Sequence, residues 1–357
     1  MSLLKRLCLF VGLLVAAALI YLLLAPTKID PVAWQPPAAP SLTGPYQQNS
    51  RLSSIQRLSL GEGREPEDVA LDNAGRIYGG FNDGRIMQLQ ADGSQPRLFA
   101  DTHGRPLGLV FDSQQNLVVA DALKGLLSIN PNGDITTLAS EADGAPFGCL
   151  NDLDVAADGT IYFTEASNKF PMKEFTSDIL EHRPNGRLLA YDPNTHKSRT
   201  ILRGIHFANG VAVSPDQSFV LVNETGKYRV LRVWLSGPRE GQSEVFVDNL
   251  PGFPDGISSN GKDKFWLALV TPRNKVLDSV LPHPFLRKMI YRLPKFLQPK
   301  PQRYSFVIAL DTNGHVVENL QDPSANCFAE IANVVERDGT LYFGSIGESA
   351  VGRFSLH

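Results

Sequence analysis

Hydrophobic and polar positions along this chain follow two different patterns. Residues 7–25, LCLFVGLLVAAALIYLLLA, form an unbroken apolar run, long enough for a helix to cross the hydrocarbon core of a bilayer. Beyond it, apolar and polar positions alternate in short β-branched and aromatic stretches, the period-two pattern of half-buried strands. One unit recurs: a turn built on Asp/Asn-x-Gly or its relic, followed by such a stretch. It reads LDNAGRIYGG, FDSQQNLVVAD, AADGTIYFTEA, SPDQSFVLVNE, SNGKDKFWLAL and ERDGTLYFGSI. The units recur about every 40 to 60 residues, with one longer gap before the last, the spacing of a β-propeller whose blades cannot bury their faces alone. The expectation is an all-β, six-bladed β-propeller. A strand within residues 54–60 (SIQRLSL) would complete the last blade and close the ring. A pair of β-sandwiches is the rival, but it gives no reason for six similar hairpins.

This pattern divides the chain into three parts. Residues 1–25 are expected to be a cytoplasmic start and a transmembrane anchor. Lys5 and Arg6 precede the apolar run, so the positive-inside rule leaves the N-terminus cytoplasmic and the propeller on the extracytoplasmic side. A cleaved signal peptide would have a shorter core and an A-x-A-like site, whereas this run ends Leu-Leu-Leu-Ala-Pro. Residues 26–46 are proline-rich and read as an extended tether. Residues 47–357 form the propeller, interrupted by insertions at about 166–186 and 272–303. The second insertion contains LDSVLPHPFLRKMIYRLPKFLQPK, apolar and basic residues broken into short helical pieces by proline. It suits a membrane surface over about residues 277–300, or a lid packed on one end of the propeller, and the two readings are compatible.

A net charge of -3, with 43% hydrophobic and 20% charged residues, is ordinary for a globular domain and gives no support for a nucleic-acid partner. The cysteines Cys8, Cys149 and Cys327 provide neither a disulfide framework nor zinc-ligand spacing.

Candidate chemistry comes from aligning the units. Eight positions before the turn glycine, or its equivalent, stand Glu67, Leu107, Asn151, Asn209, Asp255 and Ile331. In a propeller, equivalent positions ring the central axis. Four of the six are side-chain oxygens, two carboxylates and two amides, the donor set of a hard dication. No His or Cys stands among them, which argues against zinc or copper and for calcium. Magnesium suits a large, loosely built ring less well. The expected ion is therefore Ca2+, held by Glu67, Asn151, Asn209 and Asp255. The apolar positions Leu107 and Ile331 would face a hydrophobic substrate.

At these residues the sequence resembles the strictosidine synthase-like proteins, most of all the adipocyte plasma membrane-associated protein group. The resemblance spans roughly residues 60–356 and is carried by GRLLAYDPNT, IHFANGVAVSPDQSFVLVNETGKYRVLRVWLSGPREG, LPGFPDGIS and RYSFVIALDTNGHVVENLQDP. The wider clan includes paraoxonases and the senescence marker protein/gluconolactonases, six-bladed propellers with calcium in the channel. In paraoxonases the motifs matching PEDVA, LND, ANG and PDG supply calcium ligands. This carry-over implies Glu67, Asn151, Asn209 and Asp255, with Asp68 and Asp152 at positions tied to a second ion or simply capping turns. Several positions depart from the clan. Leu107 stands where paraoxonases place a histidine, and Cys149 where gluconolactonases place an arginine toward the substrate. Ile331-Ala332-Asn333 stands where the plant synthases place a glutamate, so strictosidine synthesis is not expected. The resulting expectation is a membrane-anchored, calcium-dependent hydrolase of small hydrophobic esters or lactones. Asp255 or Glu67 would serve as base, and Leu107, Cys149 and Ile331 would contact substrate. The alternative is a non-catalytic propeller that calcium stiffens and whose top face binds a partner or ligand.

Overall fold

The computed structural model describes residues 3–356. Six four-stranded antiparallel sheets form the blades, with innermost strands Val69–Leu71, Pro106–Phe111, Cys149–Val155, Ala208–Val213, Gly252–Ser259 and Ile331–Arg337. The ring closes as the sequence implies. Gln56–Ser59 forms the outer strand of the sixth blade and pairs antiparallel with Ala350–Ser355, from Gln56↔Arg353 to Ser59↔Ala350. Joining the two ends of the domain in one sheet leaves no unpaired gap through which the ring could open.

The recurring turns have a common cause. Asp72 accepts hydrogen bonds at Oδ1 from the N–H groups of Ala74 and Arg76, and Asn260 does the same for Lys262 and Lys264. A short side chain that bonds the backbone two residues on fixes the reversal, which is why Asp and Asn open these turns. The apolar stretches then pack between blades. Trp266, Val307 and Ala309 of the fifth blade meet Ile331, Val334 and Phe343 of the sixth.

Near the axis, polar side chains stitch one blade to the next. Asp152 Oδ2 accepts from Val211 N (3.0 Å) and Asp154 Oδ2 from Val213 N (2.8 Å). Thr225 Oγ1 donates to Pro254 O (2.6 Å). These bonds satisfy backbone groups at the inner sheet edges that would otherwise be buried without partners.

One end of the propeller is capped. The first insertion forms the helix Phe175–Glu181, and the second forms Lys275–Val280 and Pro284–Arg292. Residues 26–46 contain only a single 3-10 turn, Gly44–Tyr46, but they are not a free spacer. Ile29 is buried with Phe170, Leu180, Tyr228, Phe253, Leu277 and Leu281, and Trp34 stacks on His182 at 4.5 Å. Val32 N and Trp34 N donate to Glu181 O and Leu281 O. Fully buried Arg287 donates to the carbonyls of Leu180 and Val32, tying the strap to both insertions. Two large apolar side chains spaced along the prolines supply the burial that turns an extended segment into a strap. The N-terminal helix Leu3–Leu24 buries none of its residues against the rest of the chain. Its length and composition are sufficient to cross a membrane.

Candidate functional site

The inner strands of five blades, all but the first, enter the sheet through a register shift. The ladder is irregular between Leu150 and Leu153, Ala208 and Val211, and Pro254 and Ile257. A bulge re-aims side chains, and here it turns one residue per blade toward the axis. The residue after it comes very close to the next blade. A Cβ on Gly210 would lie 2.5 Å from Asp255 O and Ile257 N, so only glycine fits there. This explains an Asn-Gly pair at the start of a strand.

Glu67, Asn151, Asn209 and Asp255 are each buried, between 4% and 6% exposed. They line two spaces at once, a void on the axis of about 10 Å³ and a larger cavity of about 210 Å³ above it. The four donors thus form the boundary between them. A void of that size holds about one water-sized occupant. Leu107, Asp68, Asp152, Gly256, Ala332 and Asn333 complete its walls.

The electrostatics of this boundary favour a cation. Burial raises the Asp255 carboxyl well above its ordinary range, and the charge of Glu67 adds to the rise, while a hydrogen bond from Asn209 opposes it. Burial also raises Glu67, against the pull of Arg105, and moves Asp68 to about 7. Carboxylates gathered out of water disfavour their own ionised forms. Asn151 Nδ2 is buried without a hydrogen-bond partner. Two carboxylates and two amides around a one-occupant void fit a hard dication of calcium type. Among the described residues, no group of three or more His, Cys, Asp or Glu side chains is placed to hold a metal; the four-residue set relies on amides for half of its donors.

Asp68 and Asp152 act as inter-blade acceptors. Asp68 receives Val69 N and Leu109 N, each at 2.6 Å, together with the Asn333 amide. Asp152 receives Leu153 N at 2.8 Å and Val211 N.

Two of the expected substrate contacts lie elsewhere. Ile331 is fully buried in the core between the fifth and sixth blades, and Ala332 takes the ring position. The cause is turn length. Val155 pairs with Ile161 across residues 156–160, but Glu336 pairs with Leu341 across residues 337–340. The sixth-blade turn is one residue shorter, so counting back from its glycine overshoots by one. Cys149 packs with Leu107, Ala122 and Met172 and is not on the cavity wall. Leu107 lines the axial void and not the larger cavity.

The cavity wall comes instead from the cap and the blade tops: Met172, Phe175, Ile179, Phe207, Phe253 and Leu277 give it an apolar lining above the oxygen donors. Sequence reasoning also missed Arg105, 7% exposed, whose Nη2 donates to Glu67 Oε2 at 2.9 Å. Its one signal in the sequence was its place two residues before Leu107.

A six-bladed propeller with oxygen donors from four blades at the channel entrance, beneath an apolar cap, defines a recognisable class of propeller. Comparison with known proteins narrows it. Residues 151–238 match the strictosidine synthase model, and residues 44–89 the N-terminal model of strictosidine synthase-like proteins. Protein STRICTOSIDINE SYNTHASE-LIKE 10 of Arabidopsis thaliana is 35% identical over 351 residues, covering 89% of this chain and 92% of that protein. Adipocyte plasma membrane-associated protein of Rattus norvegicus is 33% identical over 358 residues, covering 94% and 95%. The chain belongs to the strictosidine synthase-like family, which these proteins share. Among solved structures, a gluconolactonase from Xanthomonas campestris superposes with a TM-score of 0.63 at 18% identity, over 93% of this chain and 99% of that one. Regucalcin of Agrobacterium tumefaciens, described as a calcium-binding protein, gives 0.59 at 15%, over 84% and 93%. At these identities the likeness is one of fold.

Proposed function

We propose that the chain is a calcium-dependent hydrolase of small apolar esters or lactones, anchored in a membrane by the helix Leu3–Leu24 with its N-terminus on the cytoplasmic side. The observation that supports it most is the shared boundary: the four oxygen donors Glu67, Asn151, Asn209 and Asp255 are the floor of a cavity whose wall is largely apolar. Calcium bound there would act as a Lewis acid and template for a carbonyl oxygen. The residues of the chain do the rest. Phe175, Phe207 and Phe253 would exclude water from the acyl and alcohol portions, which strengthens electrostatics at the floor. Glu67 is already held by Arg105, so it has a fixed orientation. Asp255 has no cationic partner among the described residues, and it is the carboxylate free to orient a water and accept its proton.

The test is an ester and lactone panel on the full chain in detergent or nanodiscs, with and without chelator. Chelator-sensitive turnover is the expected result. A second reading is a calcium-stiffened propeller that binds a ligand without turning it over. It is favoured by one observation: among the described residues no histidine lines the cavity. Calcium binding with no turnover on any substrate would establish that reading in place of the first.

A further inference from the structure

The second insertion bears two groups of exposed apolar residues with no partner in the fold. Phe285 and Leu286 are 53% and 41% exposed, and Phe296 and Leu297 are 73% and 57% exposed. Residues 279–310 contain no Asp or Glu, yet hold Arg287, Lys288, Arg292, Lys295, Lys300 and Arg303. Exposed Phe and Leu interleaved with basic residues suit the boundary between headgroups and acyl chains. Of these, Lys295 and Lys300 are exposed and would reach lipid phosphates while their stems cover apolar surface; Arg287, Lys288, Arg292 and Arg303 are bound within the chain.

The position of this face relative to the N-terminal helix is also fixed. Arg292 Nη1 donates to Leu22 O (2.6 Å) and Nε to Ala25 O (2.7 Å). The last carbonyls of a helix lack partners within it and carry its negative end, so a guanidinium there is a favourable clamp. The helix Pro284–Arg292 is thereby held where the apolar helix ends, at the level of the membrane surface.

The same insertion forms part of the cavity. Asn274, Leu277 and residues 298–302 are on its wall, so the strand of chain that shows Phe296 and Leu297 outward runs directly into the cavity rim.

We propose that Phe285, Leu286, Phe296 and Leu297 lie in the leaflet from which the N-terminal helix emerges, and that the cavity rim meets the bilayer there. Lipophilic molecules then reach the oxygen floor from the membrane, without crossing water. The inference rests on reading Leu3–Leu24 as membrane-spanning, but it does not depend on whether the cavity is catalytic.

The test uses the full chain in nanodiscs of phosphatidylcholine and phosphatidylglycerol, with bromine on the acyl chains of part of the lipid. Phe296→Trp adds one indole at an exposed position, and Leu98→Trp adds one on the outer strand of the first blade, where Leu98 is 55% exposed. Bromolipid should remove roughly half of the emission added by Phe296→Trp, most strongly with bromine near the headgroup, as a depth of about 5–10 Å requires. The emission added by Leu98→Trp should not change. An unquenched, red emission from Phe296→Trp would place the face in water, and an unquenched, blue one would place it under a second copy or another protein. Either overturns the proposal. Failure of the chain to enter nanodiscs at all would overturn the anchor reading, and this inference with it.

Discussion

The floor and the roof of the cavity are made in different ways. The floor donors Glu67, Asn151, Asn209 and Asp255 come from one position of a repeat, the last three each set by a bulge on its inner strand and Glu67 just ahead of the strand Val69–Leu71. The roof residues Met172, Phe175 and Leu277 come from sequence outside the repeat. The floor is polar and braced by neighbouring blades, and the roof is apolar and rests on the strap through Ile29 and Trp34. The contrast teaches that the repeat supplies the chemistry, while the insertions choose what reaches it.

The largest expected effect separates floor from roof through Arg105. Arg105→Met leaves Glu67 buried without a partner, and should cost about 3 kcal/mol in the absence of calcium. Calcium would then neutralise the stranded carboxylate. The calcium-induced rise in Tm should therefore be larger in the variant than in the parent. Equal shifts in the two proteins would mean that Glu67 does not face the ion.

The converse change is in the roof. Phe175 lines the cavity yet is 37% exposed, so truncating it leaves the core intact. Phe175→Ala should weaken binding of an apolar ester by roughly 1–2 kcal/mol, up to some thirtyfold in KM, with the Kd for calcium unchanged. A change in calcium affinity would show that floor and roof are not separable.

How much of this was readable from the sequence follows the same division. The six blades, the closing strand and the meeting of Glu67, Asn151, Asn209 and Asp255 around one void were legible because repetition puts equivalent residues at equivalent places, and alignment of six copies averages out local accident. Ile331 was misplaced because one hairpin, Glu336↔Leu341, has a shorter turn, and a count along the chain cannot see that the pairing has slipped. Cys149 occupies a position that is functional in relatives, but here it packs against Leu107 and Met172. The second insertion was legible as a lid on one end of the propeller, but the residues with which the roof lines the cavity and the packing of the strap were not, since each is a single copy whose packing partners lie far away in sequence. Arg287 reaches Val32 over 255 positions. Arg105 was missed because its meaning depends on Glu67, in the neighbouring blade.

The smallest effect concerns the brace under the roof. Asp178 accepts hydrogen bonds from Ser167 and Asn185, and burial moves its carboxyl up to about 6 from 3.8. A pKa raised on folding means that the native state holds the proton longer than the unfolded state does. Its stabilising contribution is present below about pH 4 and is lost as the pH rises through about 6. Asp178→Asn removes that titration. Its Tm relative to the parent should therefore increase between pH 4 and pH 7, by a few degrees at most. A difference that stays constant with pH would show that Asp178 titrates as it does in the unfolded chain.

The central claim is that the ring of oxygens holds a dication, and calorimetric titration of calcium into the full chain and into Asp255→Asn tests it most directly. Glu67 and Asp255 are the only charged donors of the four, so the substitution halves the ring's charge while keeping its shape. Ligand charge count tunes calcium affinity, and the account predicts one site in the parent and a loss of at least about a hundredfold in the variant. No calcium site in the parent, or unchanged binding in Asp255→Asn, would contradict it.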